Sequence, residues 1–339
     1  MTAYIARRLL LMVPTLLGIT LLCFALVQFI PGGPVEQIIS KVRAAAAARG
    51  VHGAHSDTVS SEEIKNITAY FGFDKPAYVR YFNWLGNMLR GDFGNSYVYQ
   101  QPVLHVIASK FPISLFFGLV SFVLSYAVSI PLGVRKALTH GSWSDTASSA
   151  LIFAGYVIPD YALGILLIIL FAGGSVFDWF PLGGIVSDNF ESLPPLGQCL
   201  DFLHHMVLPL TCYMVGEFAL LTLLMKNTVL EELGKDYVRT AMAKGLSFRA
   251  AVWRQVFRNA LIPIATGIGS IFALLFTSAL LIERVFDIDG MGLLFYNSML
   301  GRDYNVVLGI IVLSSVFIML GRLCSDLIYV AVDPRIRFD

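Results

Sequence analysis

Long apolar stretches with few charges recur along this chain and constrain its fold more than any other feature. Six of them approach or exceed the roughly 20 residues that an α-helix needs to cross the ~30 Å hydrocarbon core of a bilayer. They are Leu9–Ile30 and residues 112–134, 147–172, 206–225, 261–282 and 305–328. Since backbone groups inside lipid must be paired within their own segment, these stretches predict helices rather than strands.

The composition indicates the same class of protein. Hydrophobic residues make up 56% of the 339 residues and charged residues only 14%, whereas a soluble domain carries about 25% charged residues. The mean hydropathy is +0.71. We therefore predict an all-α integral membrane protein with six transmembrane helices. A net charge of +1 without a basic tail gives no indication of nucleic-acid binding.

Lysine and arginine are distributed unevenly between the predicted loops. If the N-terminus is inside, the cytoplasmic segments hold thirteen of them, whereas the short outer loops 173–204 and 283–304 hold only Arg284 and Arg302. The long segment 31–111 is exempt, because loops of that length are translocated largely regardless of charge. The bias predicts that both termini are cytoplasmic.

These predictions divide the chain into three parts. Residues 1–30 form the N-terminus and first helix, residues 31–111 form a periplasmic extension, and residues 112–339 form the core, which includes a basic loop at 226–260 between the fourth and fifth helices.

The predicted extension combines an Ala-rich stretch with one amphipathic segment. Lys41–Ser60 has low hydropathy, and Ser60 could cap a helix with Glu63 completing a capping box. Apolar residues at helical spacing between Tyr78 and Leu89 predict an amphipathic helix near the membrane face. Gly91–Gly94 predicts a turn after it.

The basic loop has the pattern of a short amphipathic helix with a small-residue tip. Its apolar face consists of Leu230, Leu233, Tyr237 and Ala241. The chain then turns through Ala243–Leu246 and continues into the basic stretch Arg249–Arg258. Such a helix can dock into a groove of a partner. The alternative is an ordinary loop enriched in positive charge on the inner side.

Several motifs together resemble one transporter family. Asp236–Leu246 is similar to the coupling loop of binding-protein-dependent importers of the dipeptide/oligopeptide permease family, which usually has Arg where Met242 stands. The other motifs that carry the resemblance are Arg7–Leu10 before Pro14 and Thr15, Gly91–Ser96 before Pro102 and Val103, Glu283–Phe286, Gly290–Leu293, Arg302–Tyr304 and Asp333–Arg337. Their order and spacing cover nearly the whole chain.

The resemblance implies a permease subunit of an ATP-binding-cassette (ABC) peptide importer in the bacterial inner membrane. The residues it implies for coupling to the ATPase are Tyr237, Arg239, Thr240, Ala241, Ala243, Lys244 and Gly245. The implied partners are a second homologous permease, one or two cytoplasmic ATPase subunits that bind ATP and Mg²⁺, a periplasmic peptide-binding protein, the peptide and membrane lipid. The chain itself is expected to bind no cofactor.

The resemblance extends to a subfamily. Pro31–Val35, the lengthened stretch 41–60 and Gly72–Pro76 look most like permeases that import microcin C-type peptides.

Two acidic residues within apolar segments are candidates for the substrate path. Asp160 lies near the middle of the third predicted helix and Glu217 near the middle of the fourth. An ionised carboxylate facing lipid costs roughly 2.5–3.5 kcal/mol, so both should face the helix bundle or a wet cavity. Either they line the path and tolerate peptide amino groups, or they are packing residues. On the last helix, Arg322 and Asp326 are predicted to form an ion pair.

Other functional classes have less support. A permease for another solute, such as nickel, is the nearest alternative. An ion-coupled transporter has only Asp160 and Glu217 in its favour and leaves the basic loop unexplained. An intramembrane enzyme would depend on Gly173–Ser175, and the sequence has neither a His-Glu-x-x-His motif nor a phosphate-binding loop. Because His204 and His205 are adjacent, they cannot share a helical face, and no metal site is expected.

Overall fold

A computed structural model of the chain describes residues 2–29, 75–173, 176–267 and 280–332. Regular structure within these residues is helical, apart from two isolated β-bridges. Several sequence predictions lie wholly or largely outside the described residues. They are the Lys41–Ser60 stretch, the Ser60–Glu63 capping box, the segments Pro31–Val35 and Gly72–Pro76, and Asp333–Arg337.

The helices follow one another along the chain as a series of long and short elements. The long helices are α1 (Thr2–Phe29), α3 (Val103–Leu138), α6 (Pro195–Leu233) and α12 (Tyr304–Val332). The shorter ones are α2 (Ala77–Leu89), α4 (Trp143–Val157), α5 (Asp160–Phe171), α7 (Asp236–Ala243), α8 (Phe248–Ala251), α9 (Phe257–Thr266), α10 (Leu280–Val285) and α11 (Met291–Leu300). A π-helical turn, Val252–Val256, joins α8 to α9.

Within the described residues, four helices, α1, α3, α6 and α12, are long and apolar enough to cross a membrane, and the bent pair α4 and α5 makes a fifth candidate if it forms one span. These helices account for five of the predicted spans. The predicted span 261–282 falls on α9 and α10, and the residues between 267 and 280 lie outside the described part of the chain. The sixth span stays a prediction.

The predicted third span, 147–172, is not one continuous helix. α4 ends at Val157, Ile158 is extended (φ −75°, ψ 124°), and α5 starts at Asp160. The two helices meet at 104°. Pro159 explains the break, because it has no N–H to donate and disfavours a helical conformation in the residue before it. The prediction that Asp160 lies in mid-helix is therefore wrong, since Asp160 is the first residue of α5.

The chain divides into two compact units, which are described separately. The core unit comprises Met1–Arg8, Lys110–Leu294 and Val316–Asp339, and the extension unit comprises Leu9–Ser109 and Phe295–Ser315. One hydrophobic cluster of the core unit is centred on the fully buried side chains of Phe117, Met206, Cys212 and Phe286. It attaches α3, α6 and the chain after α10 to each other.

A buried carboxylate organises the chain around α10 and α11 in the core unit. Glu283 is 0% exposed, and its Oε2 accepts a hydrogen bond from the Leu293 N–H at 2.7 Å. Its Oε1 accepts one from Ser114 Oγ at 3.2 Å, and Ser114 Oγ in turn accepts from the Met291 N–H at 2.8 Å. Glu283 and Ser114 thus satisfy N–H groups that the first turn of α11 would otherwise leave unpaired. A Cβ on Gly290 would lie 2.4 Å from Oε1, so this position has no room for a side chain.

The ion pair predicted between Arg322 and Asp326 is wrong. The Asp326 carboxylate binds the Arg8 guanidinium at 2.8 Å and accepts a hydrogen bond from the Tyr4 hydroxyl at 2.9 Å. Arg322 is exposed. Tertiary contacts with the start of α1 therefore replace the local pair that spacing within one helix suggested.

The extension unit contains the predicted amphipathic helix as α2, which confirms the helix, while its position near the membrane face stays a prediction. Tyr81 and Met88 form its buried edge, and the hydroxyl groups of Tyr81 and Thr20 are hydrogen-bonded at 3.0 Å. Tyr78, Phe82 and Leu89 of α2 are exposed. An apolar exposed face suits a helix that lies near a membrane surface.

The predicted turn after α2 is also present in the extension unit. Gly91 and Gly94 have φ values of +81° and +76°, in the left-handed region that favours glycine. Just beyond the turn, Ser96 is hydrogen-bonded to the buried carboxylate of Asp303, which also accepts from the Val98 N–H at 3.1 Å. Two sequence motifs, Gly91–Ser96 and Arg302–Tyr304, are thus joined through one side-chain contact.

Replacement of Gly290 by alanine should destabilise the protein. The new methyl group would displace the Glu283 carboxylate and cost about 1–3 kcal/mol, as overpacking of a buried site does. The matched control is Gly86→Ala in α2, where a Cβ would meet nothing within 4 Å and where alanine favours the helix. We expect a lower thermal midpoint in detergent for Gly290→Ala and an unchanged or slightly higher one for Gly86→Ala. Equal midpoints would show that the Glu283 contacts do not stabilise this region.

Candidate coupling surface, Asp145 cluster and cavity

The structure divides the predicted docking helix at Gly234. Leu230 and Leu233 belong to the end of α6, and the rest of the predicted apolar face lies on α7, which starts at Asp236. α7 packs on the ends of two candidate spans. One buried cluster of the core unit contains residues from α3, α6, α7 and the chain through α9. Its members are Val134, Ala137, Met225, Val229, Val238, Ala251, Val256, Ala260 and Ile264. Since protein interiors are close-packed, this cluster holds α7 against the ends of α3 and α6.

Glu232, near the end of α6, anchors the chain on both sides of α7. It accepts hydrogen bonds from the Tyr237 hydroxyl at 2.5 Å, from Lys235 Nζ at 2.5 Å and from Asn259 Nδ2 at 3.5 Å. Burial, followed by the hydrogen bond to Glu232, raises the pKa of Tyr237 above its ordinary value. The hydrogen bond to Glu232 is the main cause that raises the pKa of Lys235. Both groups therefore keep their protons at neutral pH and remain donors to Glu232.

The structure separates the predicted coupling residues into two groups. Tyr237 and Ala241 face the core of this chain and position α7. The other predicted residues are exposed, namely Arg239, Thr240, Ala243, Lys244 and Gly245. Together with Met242, which is 43% exposed, they form what we call the coupling surface.

Sequence reasoning missed part of the apolar character of this region. Met242 was considered only as a departure from the usual arginine, and the exposed Phe248 and Trp253 beyond the turn were not singled out. Large apolar residues among the charges of a basic loop are the signal that could have identified them, because an exposed apolar patch with a polar rim marks a site of contact with a partner.

The tip of the coupling surface has a backbone conformation that favours glycine. Gly245 has φ +91°, and its N–H donates to the Met242 carbonyl at 2.9 Å, while the Leu246 N–H donates to the Ala241 carbonyl at 3.2 Å. These bonds close the C-terminal end of α7 around a left-handed residue. A Cβ at Gly245 would meet nothing within 4 Å, so the tip is open to a partner.

A buried charged cluster connects the ends of α3, α4 and α6. Lys226 Nζ lies 2.8 Å from both Asp145 carboxylate oxygens, and Lys136 Nζ lies 3.0 Å from Oδ1. Lys136 also donates to Ser148 Oγ at 2.7 Å and Ser149 Oγ at 2.8 Å. We call Lys136, Asp145 and Lys226 the Asp145 cluster.

From the sequence, Lys136 and Lys226 are two of the positive charges of the inner loops, and no pairing with Asp145 is predicted. The sequence does contain a local signal for the position of Asp145 at the start of α4. Ser142 is the N-cap of α4, and its Oγ accepts a hydrogen bond from the Asp145 N–H at 3.2 Å. A serine followed three residues later by an acid is typical of a helix N-terminus, although it does not predict which cations the acid binds.

Asp160 opens onto a cavity of about 700 Å³ at the break between α4 and α5. Tyr156, Pro159, Tyr161, Gly216 and residues 280–282 line it with Asp160. Asp160 Oδ1 is 3.8 Å from the position of a Cβ on Gly216. Glu217 is half-buried and follows Gly216 directly, but it is not among the residues lining this cavity. The two predicted path residues thus lie near one another, and Asp160 alone reaches the cavity wall.

Neither histidine of the adjacent pair has the surroundings of a metal ligand. His204 Nε2 lies 2.6 Å from the Trp179 carbonyl and His205 Nδ1 lies 2.8 Å from the Asp201 carbonyl. Among the residues that the structure describes, no group of three or more His, Cys, Asp or Glu side chains could hold a metal ion.

Comparison with known proteins agrees with this architecture. The chain is 43% identical over 362 residues to the inner membrane ABC transporter permease protein YejB of Escherichia coli O157:H7, with all of both chains covered. It is 42% identical over 360 residues to the peptidoglycan transport system permease protein YejB of Agrobacterium fabrum, covering 100% of this chain and 99% of that protein. It is 34% identical over 339 residues to the oligopeptide transport system permease protein AppB of Bacillus subtilis, again with both chains fully covered.

A family-level match covers most of the region that carries these sites. Residues 129–338 match the family described as binding-protein-dependent transport system inner membrane component. The match includes the Asp145 cluster, the cavity at Asp160 and the whole coupling surface. This polypeptide is thus a multi-pass inner-membrane protein and belongs to the family of binding-protein-dependent transport system inner membrane components.

Proposed function

We propose that this chain is the channel-forming permease subunit of a bacterial ABC importer for peptides. The observation that carries the proposal is the coupling surface, an exposed helix and glycine tip attached through a buried cluster to the ends of α3 and α6. Relatives named as oligopeptide and peptidoglycan transport permeases support a peptide substrate. Microcin C-type peptides are the narrower substrate that we propose from the sequence likeness.

The proposed importer contains four kinds of component. A second homologous permease completes the path, and cytoplasmic ATPase subunits, separate or fused, bind ATP and Mg²⁺ and hydrolyse ATP, so this chain acts as a transport subunit without catalysis or cofactor of its own. A periplasmic peptide-binding protein delivers the substrate. ATP binding closes the ATPase dimer, moves α7, and through the packed cluster shifts α3 and α6 to open the cavity outward. Each step requires a ligand that binds one conformation of the transporter more tightly than the other.

For the membrane topology we propose six spans with both termini in the cytoplasm. The contacts of Tyr4 and Arg8 with Asp326 support the placement of both termini on one side, because they bring the start of α1 next to the last part of α12. The cytoplasmic side is proposed from the distribution of lysine and arginine. The proposed parts are residues 1–30 with the first span, residues 31–111 as the periplasmic extension and residues 112–339 as the permease core, with the coupling loop at 226–260.

We further propose that Asp160 and Glu217 act on the substrate path. Asp160 supplies a carboxylate to a cavity that two tyrosines also line, and tyrosine faces attract cations. A carboxylate and aromatic rings in the wall of one cavity suit the ammonium group of a peptide N-terminus. Glu217 adds negative charge in α6 directly after Gly216, which lines the cavity.

A side chain at Gly245 should uncouple ATP hydrolysis from transport. Asparagine tolerates the left-handed conformation, so Gly245→Asn keeps the turn but projects an amide into the docking partner. We expect peptide uptake to fall at least about tenfold, equivalent to about 1.4 kcal/mol, while the ATPase activity of the complex persists.

The matched control for this change is Gly141→Asn. Gly141 also has a positive φ, +79°, and a Cβ there would meet nothing within 4 Å. It lies in the turn between α3 and α4, outside the coupling surface, and the substitution should leave uptake unchanged. Normal uptake by Gly245→Asn, or an equal loss in both variants, would contradict a specific role for the tip.

Removing the two path charges should weaken transport of peptides that have a free amino group. We expect Asp160→Asn and Glu217→Gln each to lower the uptake of such peptides about fivefold to tenfold, since each removes roughly 1 kcal/mol of attraction. N-acetylated peptides should be affected less. Asp188→Asn, an exposed acid of the predicted outer loop, is the control. Unchanged uptake and substrate range in both path variants would end the hypothesis.

A further inference from the structure

A second cavity lies between α4 and α6, and its two ends differ in chemistry. Its volume is about 460 Å³. Lys136, Ser149 and Thr222 form a polar end, and Phe153, Leu220 and Leu223 form an apolar wall. All three wall residues are exposed, with Phe153 at 66%. Because α6 is a candidate span, these side chains face a hydrophobic solvent or a partner, and the cavity is open to an amphipathic molecule.

The polar end of this groove has an excess of positive charge. Two lysines of the Asp145 cluster, Lys136 and Lys226, are buried and share the single carboxylate of Asp145. The cluster therefore carries one uncompensated positive charge at neutral pH. His140 lies 3.4 Å from Asp145 and would add positive charge when protonated. A buried excess charge is costly unless an anion pairs with it or ordered water solvates it.

The groove also contains a buried hydroxyl without a partner. Thr222 is 1% exposed, and its Oγ1 has no hydrogen-bond partner within the described ranges. A buried hydroxyl that lacks a hydrogen-bond partner destabilises the folded state. Ser149 Oγ, at the same end, accepts from Lys136 and keeps its own proton available for donation. Two hydroxyl donors thus lie beside an excess positive charge.

We propose that this groove binds one acidic phospholipid of the inner leaflet. The phosphate lies at the polar end, where the Thr222 and Ser149 hydroxyls donate to its oxygens and the Asp145 cluster supplies the opposite charge. One acyl chain follows the wall formed by Phe153, Leu220 and Leu223. Basic pockets between helices at the cytoplasmic side of a membrane are suited to acidic headgroups. The choice of leaflet rests on the orientation proposed above.

Lipid binding to the purified transporter complex tests this assignment. The complex is delipidated in mild detergent, and bound lipid is counted by native mass spectrometry after addition of phosphatidylglycerol or phosphatidylcholine with the same acyl chains. We expect phosphatidylglycerol to bind about fivefold more tightly, as one additional surface cation favours an acidic lipid. Inorganic phosphate at millimolar concentration should not displace it, because phosphate lacks the acyl chain that fills the wall.

Two matched variants locate the binding in the groove. Ala150 lines it, so Ala150→Phe should fill the groove and reduce the preferential binding at least fivefold without altering the Asp145 cluster. Leu151 is 76% exposed and does not line the groove, and Leu151→Phe should bind lipid as the unmodified complex does.

Three results would overturn the proposal. They are equal affinity for the two lipids, displacement by inorganic phosphate, and unchanged binding by Ala150→Phe. Coverage of the groove by the partner permease would abolish the lipid preference and so give the first of these results. Binding is measured without ATP or peptide, so a failure of the proposed transport function would leave this result unaffected.

Discussion

A single carboxylate holds three helix ends together in the core unit. Asp145, in the first turn of α4, lies between Lys136 near the end of α3 and Lys226 near the end of α6. Removing such cations from water costs several kcal/mol each unless they are paired and hydrogen-bonded. Rearrangement of these three ends would expose or separate the charges, so their relative placement is strongly constrained. The apolar cluster that packs against α7 contains Ala137 and Met225, the sequence neighbours of the two lysines. The position of the coupling surface therefore depends on the Asp145 cluster.

Helix α6 provides a physical connection between the coupling surface and the cavity at Asp160. Gly216 lies in the cavity wall, and Val229 lies in the cluster that holds α7. Both belong to one continuous helix, about 20 Å apart at 1.5 Å per residue. One continuous helix thus reaches both sites, and in the proposed mechanism it carries movement of α7 to the cavity wall. Tyr156 lines both the Asp160 cavity and the groove between α4 and α6, so an occupant of the groove contacts a wall of the proposed path.

The features that the sequence predicted well are those that depend on local periodicity. The long apolar helices, the amphipathic α2, the turn at Gly91–Gly94 and the docking helix α7 all follow from spacing within one segment. The 104° bend at Pro159 could not be predicted, because a proline in a membrane helix can kink it gently or break it.

The sequence also did not predict the contacts between distant segments of the chain. Asp145 and Lys226 are 81 residues apart in sequence, and Asp326 binds Tyr4 rather than its neighbour Arg322. A charge in a membrane helix needs a partner, but the sequence does not specify which one. The same limit applies to Tyr237 and Ala241, which periodicity places on one face of α7. Only the packed structure shows that this face is turned inward and the remaining predicted residues outward.

The central claim is that a cytoplasmic ATPase binds the coupling surface. A thiol introduced by Lys244→Cys tests this claim most directly. In membranes that contain the complete transporter, the account predicts that this thiol crosslinks to the ATPase subunit and reacts with impermeant reagents only from the cytoplasmic side. The native Cys199 is exposed at the start of α6 and should react from the opposite side, which makes it an internal control. Labelling of the introduced thiol from the outer face, or its failure to crosslink in the assembled complex, would contradict the account.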